Sequence, residues 1–517
     1  MMRYLRVLLL FVLLLALAGC GQAGEQRGSE TGKAADDTIV LAAYRHLAPG
    51  EKDGFYCSRI LNVWEPLITV NEETGEPAPC LAASWEMQDE GRVWVFRLRE
   101  GVRFHDGTDF TAQSVVDNLT WMGKAVRTSI FYLHNINLYY PHLERAEALD
   151  AHTLRLTFSQ PNINQIYNMM NFGSAIYAPS CLADDGGFTG TALGTGPFRI
   201  AENVKDRYVV LERNEDYYGE KARAQRIIVR SIPSADVRFA ALKAEEIMGV
   251  MDISAMPPVL ADELAQDERF AVSVSPSIMV RYLAFNGKKP PFDDVRMRRA
   301  VSLLLDRRQL VDALYLGYAQ PTLNILSVSS PFYRDFPVVQ NVAEAKRLAR
   351  EVLEDRRMEI VYMVNGADPI QKGEAELIAY WLAELGLDVR IEALEQAMQL
   401  AALRRGDYHI ARAQQGLPNG DPIYIFEAFF MPKGARNKAM SLGYENPEVQ
   451  RLLKDLSTET DPVVRRAAFD RLQEIGVEDQ PVAPLYFDEN IVVYNAARLT
   501  GYRALRYGVS LAEVGWR

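Results

Sequence analysis

The chain has 517 residues, 48% of them apolar and 24% charged. That is material for a large core and more than one ordinary domain holds, so two or three lobes are expected. A formal charge of −11 argues against nucleic acid as a partner and against adhesion of the folded body to an anionic membrane.

Residues 1–20 read as a targeting segment. Arg3 and Arg6 form a basic start, and Leu8 to Leu17 form an apolar run shorter than the ~20 residues a membrane span needs. Leu17-Ala18-Gly19-Cys20 closes the run and resembles a bacterial lipobox, which implies cleavage before Cys20 and lipidation of its sulfur. Residues 21–37 are rich in Gly, Glu, Ser, Ala and Lys and read as a flexible tether with a reach of roughly 20–25 Å. The expectation is an extracytoplasmic protein, lipid-anchored to its membrane. Of the remaining Cys57, Cys80 and Cys181, at most one internal disulfide can form, and Cys57–Cys80 is the pairing expected on proximity. No Cys/His spacing suits structural zinc.

Thr38 to Tyr44 (TIVLAAY) reads as a buried strand running into the loop Arg45-His46-Leu47-Ala48-Pro49-Gly50. Phe55 to Val63 reads as a helix leading into Trp64-Glu65-Pro66-Leu67, and LAASWE follows at Leu81 to Glu86. Val93 to Leu98 reads as a strand. It continues through REGVRFHDGTDFTA to a helix from Gln113, with Thr111 as its cap. His105 and Asp106 sit in a Gly-containing turn and read as turn formers rather than catalytic groups. Residues 121–180 are rich in aromatics, Trp121 and Tyr132 among them, and include a strand at Ala151 to Phe158 and a helix at Asn162 to Met170.

The most distinctive stretch is Phe188 to Lys221. Gly190, Gly194 and Gly196 stand among threonines, Pro197-Phe198 closes the turn, Tyr208 to Leu211 forms a strand, and Asn214 precedes Tyr217-Tyr218-Gly219. The order GTGPF, strand, N-x-x-YY-G closely resembles the signature of the solute-binding proteins of ABC importers for peptides and nickel (solute-binding family 5). WEPL, LAASWE, the FHDG turn and PPFDDVRMRRA at Pro290 to Ala300 are similar to further motifs of that family, and the resemblance runs from about residue 38 to about 500. Two departures stand out. The Gly expected before Met251-Asp252 is missing, with the strand still expected through Met251 to Ile253, and the segment from Ser327 to Val342 is compact where the family carries a longer loop.

Past that segment the pattern is helix from Ala343, strand at Met358 to Val364, helix at Gly373 to Gly386, strand at Leu387 to Ile391. This argues a βαβ unit. The resemblance implies an α/β, two-lobed periplasmic-binding-protein fold with the ligand between the lobes. Lobe 1 is expected at 38–278, with an added peripheral region at about 121–180. Lobe 2 is expected at 279–488, and 489–517 returns to lobe 1. It further implies a monomer that hands its ligand to an ABC permease and ATPase complex, with no cofactor of its own.

An enzyme is the competing class. The chain has no G-x-S-x-G, H-E-x-x-H or P-loop, and its histidines are scattered. A partner-binding surface lipoprotein would leave the two-lobe pattern unexplained. For the ligand, Gly420-Asp421-Pro422 is similar to the segment whose Asp holds the amino group in peptide-binding relatives. Ile423 stands where nickel-binding relatives have a His. Ligands of open α/β sheets sit beyond the carboxyl ends of strands, which makes Tyr44, Arg45 and His46 candidate wall residues, Arg45 for a carboxylate and His46 for a metal held in a chelate. Trp121, Tyr132 and Gln415 are further wall candidates. Peptides or amino-acid-derived solutes are the expected ligands, with a nickel or other metal chelate as the alternative.

Overall fold

The computed structural model describes residues 37–48, 60–124, 136–170, 174–252, 255–366, 368–416, 422–506 and 508–517. Its centre is an eleven-stranded mixed sheet. On one side stand Phe198–Val204, Tyr208–Arg213, Arg226–Ser231, Thr38–Ala43 and Gly249–Val250, in that order. On the other stand Ile410–Gly416, Met358–Asn365 and Leu387–Leu394. Two long antiparallel strands, Val482–Asn495 and Phe270–Phe285, lie between the two sets and belong to both. Ala319–Pro321 adds to the flank of Val482–Asn495.

The buried apolar residues divide along the same line. Residues 39–270 and 491–514 supply two clusters, built around residues such as Leu41, Phe96 and Phe198 and around Val250 and Phe270. Residues 282–486 supply two others, built around Phe285 and Ile360 and around Phe426 and Phe469. The fold is a two-lobed α/β one, as expected. Lobe-2 helices form where the sequence signals them. Asn341 caps Val342–Leu353 by accepting from the N–H of Glu344 at 3.1 Å, and Ala345, Leu348 and Ala349 then fall on the buried face at helical spacing. Asp368 caps Pro369–Leu382, with proline at the first helical position. The parallel strands Met358–Asn365 and Leu387–Leu394 flank that helix in sequence, as a βαβ unit requires.

A four-stranded antiparallel sheet, Ala82–Gln88, Val93–Leu98, Thr153–Phe158 and Leu143–Asp150, carries the first lobe's peripheral part. Helix Ala112–Lys124 packs on it. Trp121, expected at the cleft wall, belongs to this core. It is 3% exposed, its Nε1 donates to the Gly187 carbonyl at 2.9 Å, and its ring meets Phe188 and Tyr177. The helix expected over Phe55 to Val63 is absent from its described part, since Ile60–Val63 is a turn and irregular chain.

The signature motifs converge on one carboxylate. Glu65 accepts from Thr195 Oγ1 at 2.8 Å, Tyr217 OH at 2.8 Å and Tyr218 OH at 3.1 Å. Cys80 Sγ lies 3.9 Å from it; Cys57, its expected partner, lies outside the described residues. The glycines of GTGPF are needed because the backbone passes against Asn62-Val63-Trp64. A Cβ on Gly194 would stand 2.2 Å from the Val63 carbonyl, and one on Gly196 2.4 Å from that of Asn62. The FHDG turn closes on the same loop. His105 Nδ1 accepts from the Gly194 N–H at 3.2 Å, and Nε2–H donates to the Gly196 carbonyl at 3.0 Å. Burial holds the imidazole below its ordinary pKa, in the neutral form that this donor–acceptor pattern requires.

Burial pushes the Glu65 carboxyl upward from the ordinary value of 4.5, against the hydroxyl donors and Arg99, which pull it down. The folded chain therefore keeps this proton to higher pH than the unfolded chain. Stability falls as pH rises from 4.5 through the folded-state value and is level above it. Glu65→Gln is expected to flatten that descent. Thermal melts of both proteins from about pH 4.5 to pH 8 check it, and identical slopes would refute the assignment.

Candidate functional site

The strand registers place the cleft. Gly249 and Ala271 both lie opposite Tyr494, and strand Gly249–Val250 runs in the same direction as Phe270–Phe285. Thr38–Ala43 runs parallel beside it, with Ala42 opposite Val250. On the other lobe Ile410–Gly416 runs against the long strand, from Phe285 at Ile410 to Met279 at Gly416. The carboxyl ends of both sets of parallel strands therefore point toward the same stretch of the long pair. Its register breaks there, between Pro276 and Val280. From the level of Val250 to that of Gly416 the floor is roughly 20 Å long. α/β sheets hold ligands beyond the carboxyl ends of their strands, and here two opposed sets of such ends face one floor.

At the carboxyl ends of the lobe-1 strands stand Tyr44, Arg45 and Asp252. The expected strand through Met251 to Ile253 stops at Val250. Asp252 turns out of it with φ at +89°, a strained value for a residue with a Cβ; Ile253 lies outside the described residues. Asp252 is fully buried and pairs with Arg45 through both oxygens, Nε–Oδ2 at 2.7 Å and Nη2–Oδ1 at 3.0 Å. The guanidinium also lies over the Tyr44 ring, 5.4 Å from its centroid, and Tyr44 is exposed. The fork expected to read a ligand carboxylate is thus engaged by the chain's own Asp. His46 is engaged at both nitrogens as well. Nε2 lies 2.7 Å from Asn203 Oδ1 and Nδ1 lies 3.3 Å from Ser231 Oγ. A metal would have to displace one of them. Among the described residues no group of three His, Cys, Asp or Glu side chains is placed to hold a metal ion.

At the crossing, Arg281 of one long strand holds Asp488 of the other, Nε–Oδ1 at 2.9 Å and Nε–Oδ2 at 2.8 Å. Beyond it, in lobe 2, Arg412 and Glu374 form a buried pair at 2.9 Å. The Tyr486 hydroxyl joins both, donating to Glu374 Oε2 at 2.5 Å and accepting from Arg412 Nη2 at 2.8 Å. Gln415, opposite Val280, accepts from Arg436 Nε at 3.0 Å and donates to the Gly416 carbonyl at 2.6 Å. Of the wall residues expected from sequence, the registers bring Tyr44, Arg45, His46 and Gln415 to the two ends of the floor, while Trp121 is in the core. Tyr132 and Asp421 lie outside the described residues, as does Cys20. Asp252, Arg281, Asp488 and Arg436 were not singled out for the site, and only Asp252 stood in a quoted motif that hinted at its position.

The chain matches the family described as bacterial extracellular solute-binding proteins, family 5 middle, over residues 76–437. It belongs to that family. It is 27% identical over 417 residues to a probable D,D-dipeptide-binding periplasmic protein, DdpA, of Escherichia coli K12, covering 78% of each chain. To the oligopeptide-binding protein OppA of Bacillus subtilis 168 it is 24% identical, over 94% of this chain and 95% of the relative. Among solved structures, Helicobacter pylori DppA in complex with the peptide STSA superposes with a TM-score of 0.71 at 24% identity, over 93% of this chain and 98% of that one. Brucella suis NikA in complex with Fe(III)-EDTA does so with a TM-score of 0.79 at 21% identity, over 93% and 100%. These structural likenesses establish the fold. The protein is a substrate-binding component of an ABC importer, not an enzyme, and acts outside the cytoplasm. Among the described residues no helix is long and apolar enough to cross a membrane.

Removing Arg45 leaves a fully buried carboxylate short of its fork. Arg45→Ala is expected to lower stability by about 3 kcal/mol, and Arg45→Lys, which keeps the charge but loses the bidentate geometry, by less. Urea unfolding of the three proteins measures this, and equal midpoints would rule out a structural role for the pair.

Proposed function

We propose that the chain is the lipid-anchored receptor of an ABC importer that captures peptides or amino-acid-derived solutes and delivers them to the permease. The observation that carries the peptide reading is the likeness across most of the chain to relatives named for binding D,D-dipeptides and oligopeptides. Two lobes that meet on shared strands with a break in register suit capture by hinge closure. We place the lobe boundaries at 278 and 488, because the buried clusters change sides between Phe270 and Tyr282 and between Tyr486 and Ile491. Cys20 carries the lipid, residues 21–37 are the tether, and the receptor works as a monomer. Asp421 reads the ligand's amino group by charge-assisted hydrogen bonds.

Native mass spectrometry of the purified mature protein, with elemental analysis, tests the ligand class. A family of peptide masses without metal is the expected result. Asp421→Ala is then expected to abolish binding of those peptides, and their N-acetylated forms are expected to fail on the wild type. Stoichiometric nickel with a small chelator would overturn the peptide reading in favour of metal-chelate uptake.

A further inference from the structure

We infer that the peripheral region of lobe 1 carries a clasp for lobe 2, and that this clasp, acting away from the shared strands, sets the angle between the lobes. The clasp needs no assignment of the solute. Its centre is Arg465 of helix Pro462–Asp479, in lobe 2. Nη1 is held within its own lobe, donating to the carbonyls of Leu456 at 3.0 Å and Glu459 at 2.9 Å. Nη2 crosses to lobe 1 and donates to Asn164 Oδ1 at 2.5 Å. Arg465 and Asn164 are both buried. Beside them Tyr167 of lobe 1 meets Phe332 of lobe 2, ring centroids 5.8 Å apart. Phe332 lies 4.5 Å from Phe469, whose ring also lies under the Arg465 guanidinium. A guanidinium taken out of water needs its hydrogen bonds. Parting the lobes here leaves a charged donor without its acceptor until water reaches it.

The seam continues toward the break in register. Gly75, in the turn that joins Ile68–Val70 to Pro77–Pro79, packs on the lobe-2 segment after Ser327. A Cβ on it would stand 2.6 Å from the Ser329 carbonyl oxygen and 3.3 Å from Pro331 Cδ. Each face of the seam is fixed within its own lobe. In lobe 1, Asn162 Nδ2 donates to Gln165 Oε1 at 2.8 Å, Gln165 Nε2 to the Tyr139 carbonyl at 2.8 Å, and Trp94 Nε1 to the Asn162 carbonyl at 2.9 Å. In lobe 2, Gln473 Nε2 donates to the Phe332 carbonyl at 3.0 Å, and Arg466 to the carbonyls of Pro331 at 3.2 Å and Tyr333 at 3.3 Å. Two fixed faces that meet with no room for a Cβ fit in one relative orientation. Asn164 stands at the cap position of Gln165–Met169 without capping it, so its amide serves the partner lobe rather than its own helix. The populations of lobe arrangements enter the apparent affinity directly. The clasp therefore acts on capture through the lobes rather than through a contact with the solute.

The test reads the lobes and not the solute. Nitroxide side chains at the exposed Val237 of lobe 1 and Tyr380 of lobe 2 report the interlobe distance distribution by double electron–electron resonance. The full mature protein is used, refolded from urea to remove co-purified solute, with thermal melts confirming folding. Asn164→Ala is expected to raise the population outside the wild-type distance by about 10-fold, and Tyr167→Ala added to it to raise that population further. Asn164→Asp keeps an acceptor for Nη2 and adds a charge, and is expected to keep the wild-type distribution. Unchanged distributions in Asn164→Ala and in the double variant overturn the clasp. So does an Asn164→Asp distribution altered as much as that of Asn164→Ala. Should the double variant not fold, the two single variants decide alone. With no solute present, failure here leaves the peptide reading standing, and a nickel chelate found in the native protein would overturn that reading and leave the clasp standing.

Discussion

The antiparallel pairing of Phe270–Phe285 with Val482–Asn495 is the constraint on which everything else hangs. Each strand contributes its first half to one lobe and its second half to the other. Neither lobe can complete its sheet without both, so the folds of the two are coupled through main-chain hydrogen bonds rather than through a linker. The break in register between Pro276 and Val280 sits at the level where the lobes part. A break of this kind loosens the ladder and increases twist locally. Arg281 and Asp488 brace that same point across the pair, so the place with the weakest ladder has a charged brace of its own.

The lobes also touch away from the pair. Arg465 of helix Pro462–Asp479 donates to Asn164 Oδ1 of the first lobe at 2.5 Å, and Tyr167 packs on Phe332. The compact segment that departs from the family pattern lies here. Ser327 Oγ donates to the Ser277 carbonyl at the break in register, and Arg506, near the C-terminus, bridges the carbonyls of Ser329 and Glu72. This segment brings the two lobes into polar contact beside their shared strands.

The motifs that make the family legible are chiefly packing constraints. GTGPF, WEPL, FHDG and YYG read as separate signals in the sequence and become one knot around Glu65 in space. Such positions are readable because a close backbone approach or a buried carboxylate admits few alternatives. The ligand wall is different. Arg45 stood in a suggestive loop, but its partner Asp252 lies 207 residues away, and no periodicity connects them. Trp121 looked like a wall aromatic because an indole is equally at home in a core and against a ligand. Helical spacing alone could not separate the two roles.

Charge is where sequence and structure complement each other most clearly. The acidic excess of the whole chain does not locate a site, and it leaves most arginines with an acid within reach. A buried or half-buried guanidinium is costly unless it is matched. Around the crossing that cost is met by Asp252, Asp488 and Glu374. These pairs also fix their arginines in place and take up the donors that would otherwise attract a ligand.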